Sequence, residues 1–191
     1  MEFKKLADKR YSCRKFEDKK VEREKINECI KAARVAPSAC NAQPWKFVVA
    51  DEPEIKERTA KAATTGKYKF SRFIKRAPVI IAAVADKGSF MSKAGSLVRN
   101  TRFYLLDMGI VCEHIVLQAT ELGLGTCYVG WFNEKGVKKV LNIPKKMEIP
   151  LLICMGYPQK SYKDKDPIRR RAESEQRKPL DNILFFNKYK S

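Results

Sequence analysis

The short segment from Arg10 to Phe16 groups side chains that bind anions. It reads Arg10-Tyr11-Ser12-Cys13-Arg14-Lys15-Phe16, with two arginines and a hydroxyl close together. Guanidinium groups make charge-assisted, bidentate hydrogen bonds to phosphate oxygens, and a serine hydroxyl adds a neutral donor or acceptor. The spacing therefore indicates a phosphate site, although an exposed basic turn would give the same pattern.

A second segment combines small residues with two amides. It reads Pro37-Ser38-Ala39-Cys40-Asn41-Ala42-Gln43-Pro44-Trp45, with a proline near each end that restricts the backbone. Asn41 and Gln43 offer donors and acceptors together, which suits the imide edge of a flavin or a nucleobase. An ordinary capped connection, with Trp45 filling part of the core, explains the same residues.

A third basic segment, Arg177-Lys178-Pro179-Leu180, lies far from the first in sequence. On its own it indicates little. If the C-terminal part of the chain folds back over the core or over a second copy, this pair could close the far side of the same phosphate site.

Other chemistries leave little trace in the sequence. There is no Gly-x-x-x-x-Gly-Lys-Ser/Thr phosphate loop and no Gly-x-Ser-x-Gly nucleophile turn. The run 123–130 is a weak dinucleotide fingerprint, because its third glycine comes late and a helix precedes it, so we interpret it as a helix-to-strand turn. His114 is the only histidine and has apolar neighbours. It is therefore predicted to be a hydrogen-bonded core residue, without a relay or metal site built on it.

The six cysteines show no C-x-x-C spacing, which disfavours a metal or dithiol redox site. Cys29, beside Ile26 and Ile30, is typical of a reduced thiol that packs as a small apolar side chain. We therefore expect buried free thiols and no disulfide framework.

Composition places the chain among single-domain proteins. Its 191 residues, 44% of them hydrophobic, suffice for one α/β domain with a sizeable core. Lys and Arg number 40 against 22 Asp and Glu, a net charge of +18, so nucleic acid must be considered as a partner. Because acidic residues interrupt the basic ones, and only Arg169–Arg171 forms a block, a solvated basic surface is favoured and nucleic-acid binding is disfavoured. Without an apolar signal segment or a run of about 18 apolar residues, we expect a soluble cytoplasmic protein with no membrane partner.

Hydrophobic periodicity predicts the elements that position these segments. Helices are expected over 2–9, 22–36, 53–64, 101–122 and 133–141, and strands over 46–50, 79–85, 126–131 and 149–155. The helix over 101–122 is apolar almost all the way round, as a central buried helix would be. The alternation indicates an α/β sandwich.

The composition changes near the C-terminal end. Residues 159–171 carry almost no apolar side chains, whereas residues 183–186 form the apolar cluster Ile-Leu-Phe-Phe. That cluster would be exposed on a monomer, so we expect residues 159–191 to form an arm that packs on the partner subunit of a homodimer. Residues 1–191 are accordingly expected to form one domain that includes this arm.

Five segments together resemble the nitroreductase family. They are Arg10-x-Ser12-x-Arg14-x-Phe16, Ala36-Pro37-Ser38-x-x-Asn41-x-Gln43-Pro44-Trp45, Gly123-Leu124-Gly125-Thr126-x-x-x-Gly130, Gly156-Tyr157-Pro158 and Arg177-Lys178-Pro179-Leu180. Their order and spacing match, and the resemblance runs from about residue 4 to residue 187. It implies an α+β sandwich with a mainly antiparallel central sheet flanked by helices, in a dimer that exchanges the C-terminal arm.

The resemblance also implies a site and a reaction. Two FMN molecules would bind between the subunits, and electrons would pass from NADH or NADPH to nitroaromatic, quinone or related acceptors by a ping-pong mechanism. FMN would carry the chemistry, without a catalytic side chain. The residues implied as FMN-binding are Arg10, Ser12 and Arg14, with Arg177 or Lys178 joining at the phosphate, and the main chain of Gly130 and Trp131. Pro37, Ser38, Ala39 and Asn41 would come from the other subunit.

Several alternatives stay open. The same fold serves other acceptors, such as flavins, enones and halogenated phenols, and a basic flavin- or nucleic-acid-binding module without turnover is a further alternative. Ala39 stands where many relatives carry a second serine, and the adjacent Cys40 is expected to pack and not to do redox chemistry. The sequence does not identify the acceptor-pocket residues within 86–104.

Overall fold

The computed structural model describes residues 2–86, 101–159 and 177–189. The chain divides into two compact units, Met1–Gln159 and Lys160–Ser191. The first unit holds the α+β core, and the described part of the second contains a 3₁₀ turn at Leu180–Asn182. Most of the expected acceptor segment 86–104 and the Arg169–Arg171 block lie outside the described residues. The single domain and the exchanged arm stay predictions.

Four strands form one antiparallel sheet in the order β1-β2-β4-β3. The two central strands pair in register from Val79 opposite Met155 to Ala83 opposite Leu151. Their order and pairing confirm the predicted antiparallel sheet. The strands are β1 (Trp45–Ala50), β2 (Val79–Ala85), β3 (Gly125–Val129) and β4 (Glu148–Gly156).

Helices cover both faces of this sheet. Alternate side chains of β2 point to opposite faces, so Ile80 belongs to one hydrophobic core and Ile81 to the other. The helices are α1 (Phe3–Lys9), α2 (Arg23–Arg34), α3 (Pro53–Ala63), α4 (Phe103–Glu121) and α5 (Glu134–Val140). Val111 and Ile115 of α4 pack in the core of Ile81, together with residues of α2, while α3 and α5 contribute to the core of Ile80.

The long helix α4 is largely buried, as its apolar pattern predicts, but one stripe stays open. Leu106 is 56% exposed and Ile110 is 40% exposed, with Gly109 beside them. By length and composition α4 could also cross a membrane, a property that it shares with the core helices of soluble proteins, and half of the qualifying stretch is buried inside this chain.

Two sequence predictions need correction. His114 is only partly buried, because it lies at the edge of α4's open side; its Nδ1 is 2.9 Å from the Ile110 carbonyl, so the expected hydrogen bond is present. Trp45 is likewise half-buried and packs at the margin of the core. In addition, the segment Gly66–Arg76, for which the pattern predicted no element, forms 3₁₀ turns.

Candidate functional site

The basic segment Arg10–Phe16 is fixed to the sheet beside the start of β3. Ser12 forms a parallel bridge with Thr126, and Phe16 forms an antiparallel bridge with Pro158, just after β4. Because both ends of the segment are tied to the sheet, the side chains between them hold defined positions.

Gly125 allows this segment to approach β3 closely. A Cβ added at Gly125 would lie 2.7 Å from Cys13 Cβ and 2.8 Å from Cys13 Sγ, well inside van der Waals contact. Cys13 is buried, and its N–H donates to the Thr126 carbonyl at 2.7 Å. The glycine of the predicted helix-to-strand turn therefore has a packing role, since it forms the surface against which the basic segment closes.

Arg14 is half-buried and held from two sides. Its guanidinium carbon lies 5.7 Å from the centroid of the Phe73 ring, in cation–π contact. Its Nη1 also donates to the Ser12 carbonyl at 3.4 Å. Both contacts leave hydrogen-bonding capacity on the guanidinium for an anion.

Arg10 is the C-terminal cap of α1 and lies near Tyr128 of β3. Burial and the nearby Glu113 carboxylate raise the pKa of Tyr128, and the positive charge of Arg10 opposes that shift. The Tyr128 hydroxyl donates to Glu113 Oε2 at 3.0 Å. Arg10 and Ser12 thus both lie near β3, and Arg14 contacts the Ser12 main chain.

The chain leaves β3 at Gly130 and Trp131, both exposed. Among the described residues other than Gly130 and its two chain neighbours, no heavy atom comes within 4 Å of the position that a Cβ at Gly130 would take. Its main chain therefore borders open space. At about 3.3 Å per residue, Gly130 lies roughly 13 Å along the strand from Thr126, so an elongated ligand could span from the basic segment to this opening.

The 3₁₀ segment Gly66–Arg76 positions Trp131. Ser71 Oγ donates to the Trp131 carbonyl at 2.8 Å, and the indole Nε1–H donates to the Lys67 carbonyl at 3.4 Å. The rings of Tyr68 and Trp131 have their centroids 5.3 Å apart. This segment, which also carries Phe73, links the two ends of the site, and its alternation of basic and aromatic residues is the signal that could have revealed it.

The Pro37–Trp45 loop has an uncommon backbone. Cys40, Asn41 and Gln43 have positive φ angles of 51°, 51° and 44°, a costly region for residues other than glycine. Ser38 Oγ accepts the Gln43 N–H at 3.0 Å, and Gln43 Nε2 donates to Asn41 Oδ1 at 3.1 Å. The two amides therefore bond each other in the single chain. Cys40 is exposed, so its predicted packing role is wrong.

One chain does not bring this loop to the basic segment. Ala39 N–H donates to Asp107 Oδ1 at 3.0 Å near the start of α4, whereas Ser12 lies beside β3, which follows the end of α4. At 1.5 Å per residue, Asp107 and Thr120 are roughly 20 Å apart along the helix. Within one chain, the loop and Ser12 are therefore placed towards opposite ends of α4. Pro37 and Ser38, in the same loop, share the position of Ala39.

Arg177 and Lys178 lie in the second unit, just before its 3₁₀ turn, and both are exposed. Their part in a phosphate site stays a prediction.

The thiols behave as the sequence predicts, apart from Cys40. All six are free, and five are buried. Burial raises the pKa of Cys29 and of Cys112 to about 12, and that of Cys154 well above its usual range. Such thiols stay protonated and serve packing.

Comparison with known proteins identifies the family. The model of the nitroreductase family matches residues 7–157. A relative from Archaeoglobus fulgidus, whose provisional name pairs NADH dehydrogenase with NAD(P)H nitroreductase, is 30% identical over 159 residues, covering 81% of this chain and 84% of that protein. The iodotyrosine deiodinase of Thermotoga neapolitana is 24% identical over 173 residues, covering 80% of this chain and 86% of that protein.

Solved structures show the same fold. A nitroreductase family protein from Clostridium difficile 630 superposes with a TM-score of 0.79 at 33% identity, covering 99% of this chain and 100% of that chain. An FMN-dependent nitroreductase from Clostridium difficile R20291 superposes with a TM-score of 0.71 at 27% identity, covering 96% and 98%. Since the family model spans most of the chain and the fold agrees, this protein belongs to the nitroreductase family.

Proposed function

We propose that the chain is an FMN-dependent oxidoreductase that passes electrons from NADH or NADPH to nitroaromatic, quinone or related organic acceptors by a ping-pong mechanism. It would act in the cytoplasm as a homodimer. The observation that carries the proposal is that Ser12 is bridged to the strand that ends at the exposed Gly130, with Arg10 and Arg14 beside it in the same short segment.

The residues present fit FMN. Two guanidinium groups and a hydroxyl match the charge and geometry of a phosphate dianion. Glycine at 130 leaves room for a planar ring to lie close to the main chain, where backbone groups can hydrogen-bond to its edge. When bound, FMN supplies hydride and electron transfer, which no side chain of the protein can provide.

The protein's own groups bind and orient. The positive charges of Arg10 and Arg14 favour a ligand that carries or gains negative charge. Trp131 is 54% exposed and, with Tyr68, offers an aromatic surface beside Gly130 on which a planar acceptor could stack. Two hydrogen bonds hold that surface in place: Ser71 Oγ donates to the Trp131 carbonyl, and the Trp131 indole N–H donates to the Lys67 carbonyl.

The homodimer is supported by two features. The open stripe of α4, with Leu106 and Ile110, is apolar surface that a second copy could cover. Packing two chains together could also bring the Pro37–Trp45 loop of one to the basic segment of the other, which a single chain does not do.

An anaerobic titration tests the proposal. Purified protein supplied with FMN should retain it through gel filtration at the mass of a dimer, and NADH or NADPH should bleach the bound flavin. Adding a nitroaromatic or a quinone should restore the colour. Folded protein that binds no FMN, or whose flavin neither nicotinamide reduces, would refute the proposal.

Reduction of a halogenated phenol is the second candidate, which the deiodinase relative favours. It uses the same cofactor site and differs only in the acceptor. A steady-state screen at equal flavin occupancy separates the two: a kcat/KM for iodotyrosine above that for nitroaromatics and quinones would favour the second candidate, and the reverse order would exclude it.

A further inference from the structure

Asp107 is a buried carboxylate in the first half of α4. Asp107 is only 3% exposed, and its Oδ1 accepts the Ala39 N–H at 3.0 Å. The other oxygen, Oδ2, is buried as well and has no hydrogen-bond partner among the described residues. Burying a carboxylate among apolar residues is costly, so one at this position needs a reason.

The turn that Asp107 contacts explains why an acceptor is needed here. The 3₁₀ turn Ala39–Asn41 closes on itself through the Asn41 N–H, which donates to the Ser38 carbonyl at 3.0 Å. Its residues Cys40 and Asn41 have positive φ angles, a conformation that a chain of L-residues does not hold without support. Bonds within the loop supply part of that support, and the bond from Ala39 to Asp107 adds the described side-chain bond that ties the first amide of the turn to a helix of the core.

We propose that Asp107 is a positioning residue for the cofactor site: its carboxylate fixes the Ala39 main chain and so presents the adjoining Ser38 and Asn41 to FMN bound by the partner subunit. The inference rests on the proposed function, in which this loop faces the cofactor. The acceptor at Oδ1 is the essential feature, so asparagine, which keeps a side-chain oxygen, can replace aspartate and alanine cannot.

Two substitutions break the same bond from opposite sides. Asp107→Ala removes the acceptor. Ala39→Pro removes the donor N–H and leaves Asp107 in place; Ser38 before it is extended, at φ −145° and ψ 156°, which a following proline tolerates. Val111→Ala is the matched control, because Val111 is fully buried one turn further along α4 and faces the hydrophobic core.

The first measurement is amide exchange at Ala39, followed by NMR in the absence of FMN. Exchange should be at least about tenfold faster in Asp107→Ala, which corresponds to about 1.4 kcal/mol of lost protection. Asp107→Asn and Val111→Ala should stay within about threefold of the wild type, since both keep the acceptor.

The second measurement is the FMN dissociation constant of the same variants, with dimer content checked by gel filtration. Asp107→Ala and Ala39→Pro should each raise this dissociation constant at least about tenfold. Because both changes remove the same bond, the dissociation constant of the double variant should not exceed the higher of the two single-variant values. Asp107→Asn should restore affinity to within about threefold, whereas Val111→Ala should lower the melting temperature and leave affinity unchanged.

Unchanged Ala39 exchange in Asp107→Ala would overturn the proposal at its first step. Faster exchange with unaltered FMN affinity would overturn it at the second, since the loop would then be held by Asp107 without serving the cofactor. Wild-type protein that binds no FMN would refute the proposed function itself, and the exchange rates would still show whether Asp107 holds the loop.

Discussion

Replacing Gly125 with alanine should separate the basic segment from β3. The new Cβ would lie 2.7 Å from Cys13 Cβ and 2.8 Å from Cys13 Sγ. Carbon atoms in favourable contact are about 3.5–4.0 Å apart, so the basic segment and β3 must move about 1 Å apart. Cys13 cannot simply rotate away, because one of the clashing atoms is its own Cβ and its N–H is bonded to Thr126.

The size of the effect follows from that displacement. Overpacking of a core costs about 1–3 kcal/mol. For a protein of this length, about 2–4 °C of melting temperature is lost per kcal/mol, so the melting temperature should fall by roughly 2–12 °C. A hydrogen bond to a charged group contributes about 1.5–3 kcal/mol, so losing one as Ser12 and Arg14 shift should raise the FMN dissociation constant by about tenfold to a hundredfold.

Thermal unfolding and FMN fluorescence titration measure the two effects. Cys13→Gly removes both clashing atoms, so the double variant Gly125→Ala/Cys13→Gly should be more stable than the sum of the single changes predicts by at least about 1 kcal/mol. A Gly125→Ala protein that melts like the wild type would refute the packing argument. One that melts early but binds FMN normally would show that the basic segment takes no part in the cofactor site.

Three shorter predictions follow from neighbouring residues. Gly130→Ala should leave the melting temperature of the apoprotein unchanged and weaken FMN binding about tenfold in the same titration, because its methyl group would occupy the open space. An FMN affinity equal to that of the wild type would contradict the placement of the ring. Arg14→Ala should weaken FMN binding by about 10- to 150-fold, because it removes one charged hydrogen-bond donor that contributes about 1.5–3 kcal/mol. Arg23→Ala, at an exposed position, is the control, and unaltered flavin retention in Arg14→Ala would refute the assignment. An aromatic disulfide reagent should label at most one thiol per native chain, Cys40, because burial shields the other five and raises the pKa of Cys29, Cys112 and Cys154. A second fast-reacting thiol would contradict this burial.

The sequence predicts the regular elements because each has one dominant pattern. The uninterrupted apolar run of β2 and the all-round apolar pattern of α4 have few alternatives in a chain of this length. The sequence does not predict the 3₁₀ segment Gly66–Arg76, since its short alternation of basic and aromatic residues is interrupted at Ser71 and completes neither a strand nor a helix pattern. His114 was misjudged because apolar neighbours along a helix do not reveal which side of the helix a residue occupies.

The site was predictable only in part. The anion-binding character of Arg10, Ser12 and Arg14 follows from side-chain chemistry, so it can be inferred without coordinates. The close approach at Gly125 and the bond from Ala39 to Asp107 cannot, because each joins residues far apart in the sequence. Asp107 in particular looks like an ordinary polar interruption of an apolar helix until its burial is known.

Unsatisfied features gather in the first half of α4 and not in the second. In the first half, Leu106 and Ile110 are exposed apolar residues, and Asp107 Oδ2 lacks a partner among the described residues. Towards the other end, Thr120 Oγ1 donates to the Val116 carbonyl, and the turn into β3 closes with its own backbone bonds. Association removes exposed apolar surface from water. A second chain should therefore dock against the first half of α4, where it would also meet the Pro37–Trp45 loop.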